Sequence, residues 1–297
     1  MIEAALISTL TFAGGLTDKH GDPFGGVSSL RISNGKMYLL ADRGPRDGTV
    51  PYAPRFHVLE DGQVKDTIRF RDKGGNLFSG LIKTKKTRLD SEGLAVAGDH
   101  LWVADEYEPT VHEFDSDGRW KNSLTIPVHY KDRVDNRGFE GLCLTPGGKL
   151  ATLLQSPLPR DGGKKGTSTR LLLFDKNESV EYVVELARPG LMFNELAALS
   201  ETEFLLLERD NEGLGEGTTA QYKRLIKLEL LPGGRTKRSD YLDLLPVLAK
   251  GGFPAEKLPA KFESLEIDPE GYLWVATDND FKADVRTYIF KIDRVTK

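Results

Sequence analysis

The amino-acid sequence predicts an all-β fold, a β-propeller of five four-stranded blades, and three observations predict it. A phrase recurs along the chain: a glutamate, a short apolar strand, a turn, and a second apolar strand that ends in a polar group. Most copies are followed by two further strand-like runs with a turn between them, so each such repeat offers four strands. The last copy is one strand short, and the chain opens with a strand that has no hairpin partner of its own. Four-stranded units repeated around an axis, with the two chain ends meeting in one blade, describe a propeller. The long connections leave a sixth blade open.

Ala5 to Phe12 reads as the unpartnered strand, and a loop rich in Gly and Asp follows it to Pro23. The first repeat gives Val27–Ile32 and Met37–Ala41, with Ser28 where the others have glutamate, then Arg55–Leu59 and Val64–Phe70. The second opens at Ser91-Glu92-Gly93 and gives Leu94–Val96, Leu101–Ala104, Thr110–Phe114 and Trp120–Ile126. The third opens at Phe139-Glu140-Gly141 and gives Leu142–Leu144, Leu150–Leu154, Arg170–Phe174 and Val180–Leu186; its expanded loop from Ser156 to Thr167 is a candidate flap. The fourth, opening at Phe193-Asn194-Glu195, gives Leu196–Leu199, Phe204–Leu207, Tyr222–Leu230 and Arg238–Leu242, with a Gly-rich excursion from Asn211 to Thr219. Leu244 to Lys261 reads as a short helix or an irregular insertion. The fifth, from Phe262-Glu263-Ser264, gives Leu265–Ile267, Leu273–Ala276 and Thr287–Ile292.

At 297 residues the chain reads as a single domain, residues 1–297. It is 39% hydrophobic and 29% charged. No apolar run approaches the ~20 residues that cross a bilayer, so membrane insertion is not expected. A net charge of −4, with Lys and Arg spread along the chain, lacks the footprint of a nucleic-acid binder. The densest basic run, Lys83 to Arg88, reads as a solvated loop. The one cysteine, Cys143, lies in an apolar strand and reads as a buried, inert thiol. There is no GxSxG elbow, and the five histidines are scattered without metal-binding spacing, which disfavours a serine hydrolase and a zinc site. Asn177-Glu178-Ser179 is a glycosylation sequon by pattern alone. The N-terminus has no basic segment ahead of an apolar one. As written, that reads as cytoplasmic; removal of a leader would make the protein periplasmic or secreted.

In each repeat strand one runs away from its glutamate and strand two returns antiparallel, so both polar ends share one edge of the blade. With the innermost strands around the axis, one mouth of the channel collects Glu92, Glu140, Glu195 and Glu263 with Ser28. Around them stand Asp42, Asp105, Glu106, Gln155, Glu208, Asp210, Asp278 and Asp280. Crowded carboxylates repel one another, so such a ring calls for protons or a cation. The four glutamates are the candidate metal ligands. Oxygen donors suit a hard ion, and Ca2+ accepts irregular sets of about 6–8 oxygens more readily than Mg2+ does. A glutamate at each blade's start could equally accept hydrogen bonds from the next blade and serve the fold. Arg43, Arg137 and Arg209, each next to a polar end, read either as salt-bridge partners of the ring or as forks for a phosphate or carboxylate.

The segments Ala41-Asp42-Arg43-Gly44, Asp90-Ser91-Glu92-Gly93-Leu94-Ala95, Arg137-Gly138-Phe139-Glu140-Gly141-Leu142 and Phe262-Glu263-Ser264-Leu265 resemble the motifs of the phytase-like family known as "esterase-like activity of phytase". The resemblance runs from about Phe24 to the C-terminus. It implies a β-propeller, often exported in bacteria, that hydrolyses phosphate or carboxylic esters. The resulting expectation is a calcium-dependent phosphoric-ester hydrolase with its site at the channel mouth. Glu140, Glu263, Asp42 and Asp105 would be catalytic, and Arg43, Arg137 and Arg209 would bind a small anionic ester. A monomer is expected, without a nucleic-acid or membrane partner. The competing expectation is a non-enzymatic binding scaffold with a structural ion, whose expanded loops meet a ligand.

Overall fold

Alternation of apolar and polar residues puts one face of each strand against a neighbouring sheet, and the chain satisfies this with five antiparallel sheets of four strands. The computed structural model describes residues 4–84, 87–176 and 178–294. Met1 to Glu3, Lys85 and Lys86 of the basic run, and Asn177 of the sequon lie outside the described residues.

Blade 1 consists of β2 (Val27–Ser33), β3 (Lys36–Ala41), β4 (Arg55–Glu60) and β5 (Gln63–Arg69). Blade 2 consists of β6 (Ser91–Ala97), β7 (His100–Asp105), β8 (Thr110–Asp115) and β9 (Trp120–Ser123), and blade 3 of β10 (Phe139–Leu144), β11 (Leu150–Leu154), β12 (Ser168–Asp175) and β13 (Glu178–Glu185). Blade 4 is β14 (Met192–Ala198), β15 (Glu203–Arg209), β16 (Lys223–Leu231) and β17 (Arg235–Asp243). Blade 5 is β18 (Phe262–Ile267), β19 (Tyr272–Thr277) and β20 (Thr287–Arg294), completed by β1 (Leu6–Phe12). β1 runs antiparallel to β20, from Leu6 opposite Ile292 to Phe12 opposite Thr287. The first and last strands of the chain thus close a ring of five blades. The glutamates expected just ahead of the first strands lie inside them, because the strands begin three or four residues before Leu94, Leu142, Leu196 and Leu265.

The innermost strands β2, β6, β10, β14 and β18 stand against one another around the axis. Gly93 and Gly141 permit this: a Cβ at Gly93 would lie 2.3 Å from the Glu140 carbonyl oxygen, and one at Gly141 2.8 Å from the Glu195 Cα. Apolar side chains fill the space between blades. Leu205 and Leu207 of blade 4 meet Phe262, Leu265 and Phe290 of blade 5. Burial of each such side chain contributes about 1.5–3 kcal/mol. The helix Leu244–Lys250 continues this layer with Leu244, Val247 and Leu248, and Asp243 caps it by accepting from the Leu245 amide at 3.1 Å. The Ser156–Thr167 segment is not free to swing as a flap. Leu158 is buried, and Arg170 holds Asp161 at 2.7 Å against blade 3. Among the described residues no helix is long and apolar enough to cross a membrane.

Candidate active site

In all five innermost strands the register slips at the same place, between Val27 and Ser29, Ser91 and Gly93, Phe139 and Leu142, Phe193 and Glu195, and Phe262 and Ser264. A β-bulge kinks its strand and leaves the extra residue outside the ladder, free to be aimed elsewhere. Here the extra residues are Ser28, Glu92, Glu140, Asn194 and Glu263, which form the inner ring at one mouth of the channel. A second ring follows from the hairpin partners. Ala41, Asp105, Leu154, Glu208 and Thr277 pair opposite the residue before each bulge, so the next residues, Asp42, Glu106, Gln155, Arg209 and Asp278, rise together at the same edge. The amides of Glu106 and Asp278 donate to the carbonyls of Asp90 and Lys261, at 2.9 and 3.0 Å, which puts those two residues at one equivalent position in blades 2 and 5.

The rings enclose a cavity of about 140 Å³ lined by seven carboxylates and four cations, the latter being Arg43, Arg137, Arg209 and Lys261. On the blade 2 side Arg43 binds Asp90 at 2.5 Å and also holds Asp47. Glu106 stands close enough to Glu140 to disfavour its charged form, and Glu92 lies beside Asp90, crowding that a proton or a cation would relieve. On the opposite side Arg209 binds Glu263 at 2.6 Å, and Lys261 binds Asp280 at 2.7 Å with Asp278 at 3.6 Å. Asn194 donates to both Glu140 and Glu263, and Gln155 donates to Glu140.

Burial, with the charges of neighbouring acids added, holds the Glu92, Glu140 and Asp42 carboxyls well above the usual range. Glu140 adds to the effect on Glu92, Glu106 and Glu263 to that on Glu140, and Asp278 to that on Asp42. Burial lifts Asp90 to about 7 despite Arg43, and Asp278 to about 6 despite Lys261. Burial disfavours the charged form of Lys261, but Asp278 and Asp280 outweigh it and hold the ammonium well above an ordinary lysine.

Of the residues singled out from sequence, Glu92, Glu140, Glu263, Asp42, Arg43, Arg137 and Arg209 line this cavity together. Glu195 does not. It stands one residue past the bulge, in line with Ser29, Gly93, Gly141 and Ser264, and lies below the mouth. There it receives the Ser29 hydroxyl at 2.5 Å, the Leu142 amide at 3.0 Å and the Arg31 guanidinium at 2.8 Å, so that Arg31 and Glu195 plug the channel. Asp105 points into blade 2, accepting from the amides of Asp90 and Tyr107 at 3.0 and 2.9 Å. Glu208 is held by Arg238 and Tyr222, and Asp210 by Lys223. The sequence reading passed over Asp90, Asn194 and Lys261. For Asn194 the signal was a Phe-x-x-Leu frame, Phe139 to Leu142, Phe193 to Leu196 and Phe262 to Leu265, which sets Asn194 rather than Glu195 beside Glu140 and Glu263.

The three arginines differ in what they have left to offer. Arg209 spends its guanidinium on Glu263, the Phe262 and Asp210 carbonyls and Asn211. Arg43 is committed to Asp90 and Asp47. Arg137 contacts Gln155 and the Met192 sulfur and, among the described residues, has no carboxylate partner. Asp90, Glu92 and Glu106 can each bring an oxygen within 4.8 Å of the others'. Asn194, which donates to Glu140 and Glu263, keeps its Oδ1 buried and, among the described residues, without a hydrogen-bond partner. Every one of these donors is oxygen, and among the described residues no histidine lines the cavity, a set that suits a hard divalent cation and not zinc.

Comparison with known proteins agrees with this architecture. Over 99% of its length the chain is similar to Myxococcus xanthus glutaminyl cyclase, at 16% identity, with 97% of that chain covered and a TM-score of 0.51. Over 96% of its length it is similar to exo-β-1,3-galactanase from Phanerochaete chrysosporium, at 11% identity, with 64% of that chain covered and a TM-score of 0.57. At such identities the likeness speaks for the fold alone. An uncharacterized secreted protein of Arthroderma benhamiae is 30% identical over 195 residues, which span 48% of this chain and 38% of that protein. The family model "Phytase-like: Esterase-like activity of phytase" matches residues 22–281, and over those residues lie both rings of the mouth. The chain belongs to this phytase-like family.

Proposed function

We propose that the protein is a calcium-dependent hydrolase of phosphoric esters, working as a monomer on a small anionic ester at this mouth. One observation carries the reading. Among the described residues the acids Asp90, Glu92, Glu106 and Glu140 have one ion-pair partner, Arg43, and beside them Arg137 has no carboxylate partner. The first feature favours a metal ion and the second an anionic group, and an ester of phosphoric acid bound next to a cation satisfies both. Family membership supports ester hydrolysis, and the secreted relative supports a periplasmic or secreted location.

Glu92, Glu106 and Glu140, with Asp90 behind them, would hold Ca2+. The bound ion would supply positive charge for the phosphoryl oxygens. Arg137 binds the remaining oxygens through its guanidinium. Glu140, which would be ionised beside a bound cation, accepts a proton from the attacking water. Asp42, which burial and Asp278 keep protonated, gives a proton to the leaving alkoxide. The water oxygen bonds to phosphorus as the ester bond breaks, and one proton is taken up while another is released. Glu263, paired with Arg209, accepts from Asn194 and orients it. Asp105 fixes the loop that carries Glu106.

The test is turnover of phosphate esters in Ca2+ by Glu140→Gln and Glu263→Gln, each shown to be folded by circular dichroism. Loss of turnover in Glu140→Gln supports the assignment. Full turnover in that variant contradicts it.

A further inference from the structure

We propose that Lys261 is a built-in counter-cation that occupies the place of a second metal ion on the blade 5 side of the mouth, leaving one divalent-cation site on the blade 2 side. The inference rests on the calcium reading above and concerns Lys261, to which that reading gives no role.

The two sides differ in how many cations their acids are paired with among the described residues. On the blade 2 side Asp90, Glu92, Glu106 and Glu140 have one ion-pair partner, Arg43, which is shared with Asp47, while Arg137 lines the same cavity without a carboxylate partner. Around Lys261 stand Asp42, Glu263, Asp278 and Asp280, and these have three cations. Lys261 binds Asp280 at 2.7 Å and faces Asp278 at 3.6 Å, Lys282 binds Asp280 at 3.0 Å, and Arg209 binds Glu263 at 2.6 Å. Asp42, Asp278 and Asp280 can bring their oxygens within 4.8 Å of one another, as Asp90, Glu92 and Glu106 can. By spacing alone the two clusters are equals.

The strand register separates them. Asp90 and Lys261 occupy the same position in blades 2 and 5, each accepting through its carbonyl from the amide of the second-ring residue. Blade 2 therefore presents Asp90, Glu92 and Glu106 at the three positions where blade 5 presents Lys261, Glu263 and Asp278. One position changes sign between the two. A partly buried ammonium held among carboxylates does the electrostatic work of a bound cation, and it also repels one. Asn194 Oδ1, buried beside Glu140 and without a hydrogen-bond partner among the described residues, is a further neutral oxygen at the inner ring.

The experiment is calorimetric titration of CaCl2 into the wild-type protein and into Lys261→Met, with melting temperatures in EDTA and in Ca2+. The wild type is expected to bind one equivalent and Lys261→Met two. The variant should melt lower than the wild type in EDTA and gain more from Ca2+. Adding Asp278→Asn to Lys261→Met should remove the gained equivalent. Equal stoichiometry in wild type and Lys261→Met overturns the proposal, as do two equivalents in the wild type. No calcium in the wild type with one equivalent in Lys261→Met supports the role of Lys261 while defeating the calcium reading of the blade 2 side. Lys261→Gln, which keeps a hydrogen-bond donor for Asp280, carries the same test if Lys261→Met does not fold.

Discussion

The side-chain amide of Asn194 donates to Glu263 and, at 3.5 Å, to Glu140, so one neutral residue of the inner ring links two buried acids. Asn194→Ala leaves both carboxyl groups without that donor. Such a loss costs about 1–3 kcal/mol. Urea unfolding should show a lower midpoint at an unchanged slope, and an unmoved midpoint would mean that Glu140 and Glu263 are satisfied without Asn194.

Arg137 and Arg209 look alike in sequence and should behave oppositely. Arg209 neutralises the buried Glu263 at 2.6 Å, and removing one member of such a pair costs about 3–5 kcal/mol. Arg209→Ala is therefore expected to lose stability on that scale. Arg137→Ala breaks no ion pair among the described residues and should stay within about 0.5 kcal/mol of the wild type. Its KM for a phosphate ester should rise about tenfold, the equivalent of one charge-assisted hydrogen bond of ~1.4 kcal/mol. Steady-state kinetics together with thermal melts check both arms.

Acid pH should stabilise the metal-free protein. The folded state holds Asp90, Glu195 and Glu266 at about 7 and Asp278 at about 6, against ordinary values of 3.8 for Asp and 4.5 for Glu. Burial is the leading cause in each. Between those values the folded state binds more protons than the unfolded one. The contribution is complete below about 4 and is lost as pH rises through 6 to 7, by ~1.4 kcal/mol per pH unit for each group while it titrates. Melts in EDTA from pH 4.5 to 7.5 should show that fall. Calcium should flatten it, since at the mouth the ion competes with the protons. A rise in stability with pH in EDTA would contradict the assignment.

Below the mouth, Arg31 and Glu195 carry a structural prediction. Arg31 Nη2 lies 2.8 Å from Glu195 and also donates to the Leu142 carbonyl, while Nη1 donates to the Leu265 carbonyl. The side chain therefore ties blades 1, 3, 4 and 5 together at the axis. Arg31→Met should cost about 3–5 kcal/mol by leaving Glu195 buried and unpaired, and Glu195→Gln in the same chain should recover part of the loss. A double-mutant cycle measures the coupling.

Five blades and the closing strand were legible because period-2 runs, turn residues and an unpartnered first strand each bear on the same sheet topology. The mouth was legible in part. Asp42, Glu92, Glu140 and Glu263 follow from antiparallel hairpins whose polar ends share an edge. Glu195 was misplaced because a bulge inserts one residue without altering the apolar pattern after it. Glu195-Leu196 then looks like Glu263-Ser264-Leu265 with one residue missing, until Phe193 is used to fix the frame. Asp90 and Lys261 were missed for a different reason. They lie ahead of the apolar strands, where periodicity carries no signal, and their partnership with the second ring runs through backbone bonds across the hairpin. The exchange of an acid for a lysine between blades has meaning only once the blades are superimposed.

The central claim is that the mouth hydrolyses phosphoric esters with calcium bound. The most direct measurement is phosphate release from a phosphomonoester by the purified wild-type protein, in Ca2+ and after exchange into EDTA. Release in Ca2+, lost in EDTA and regained when calcium is restored, is the predicted result. No release in either condition, or the same rate in EDTA, would contradict the account.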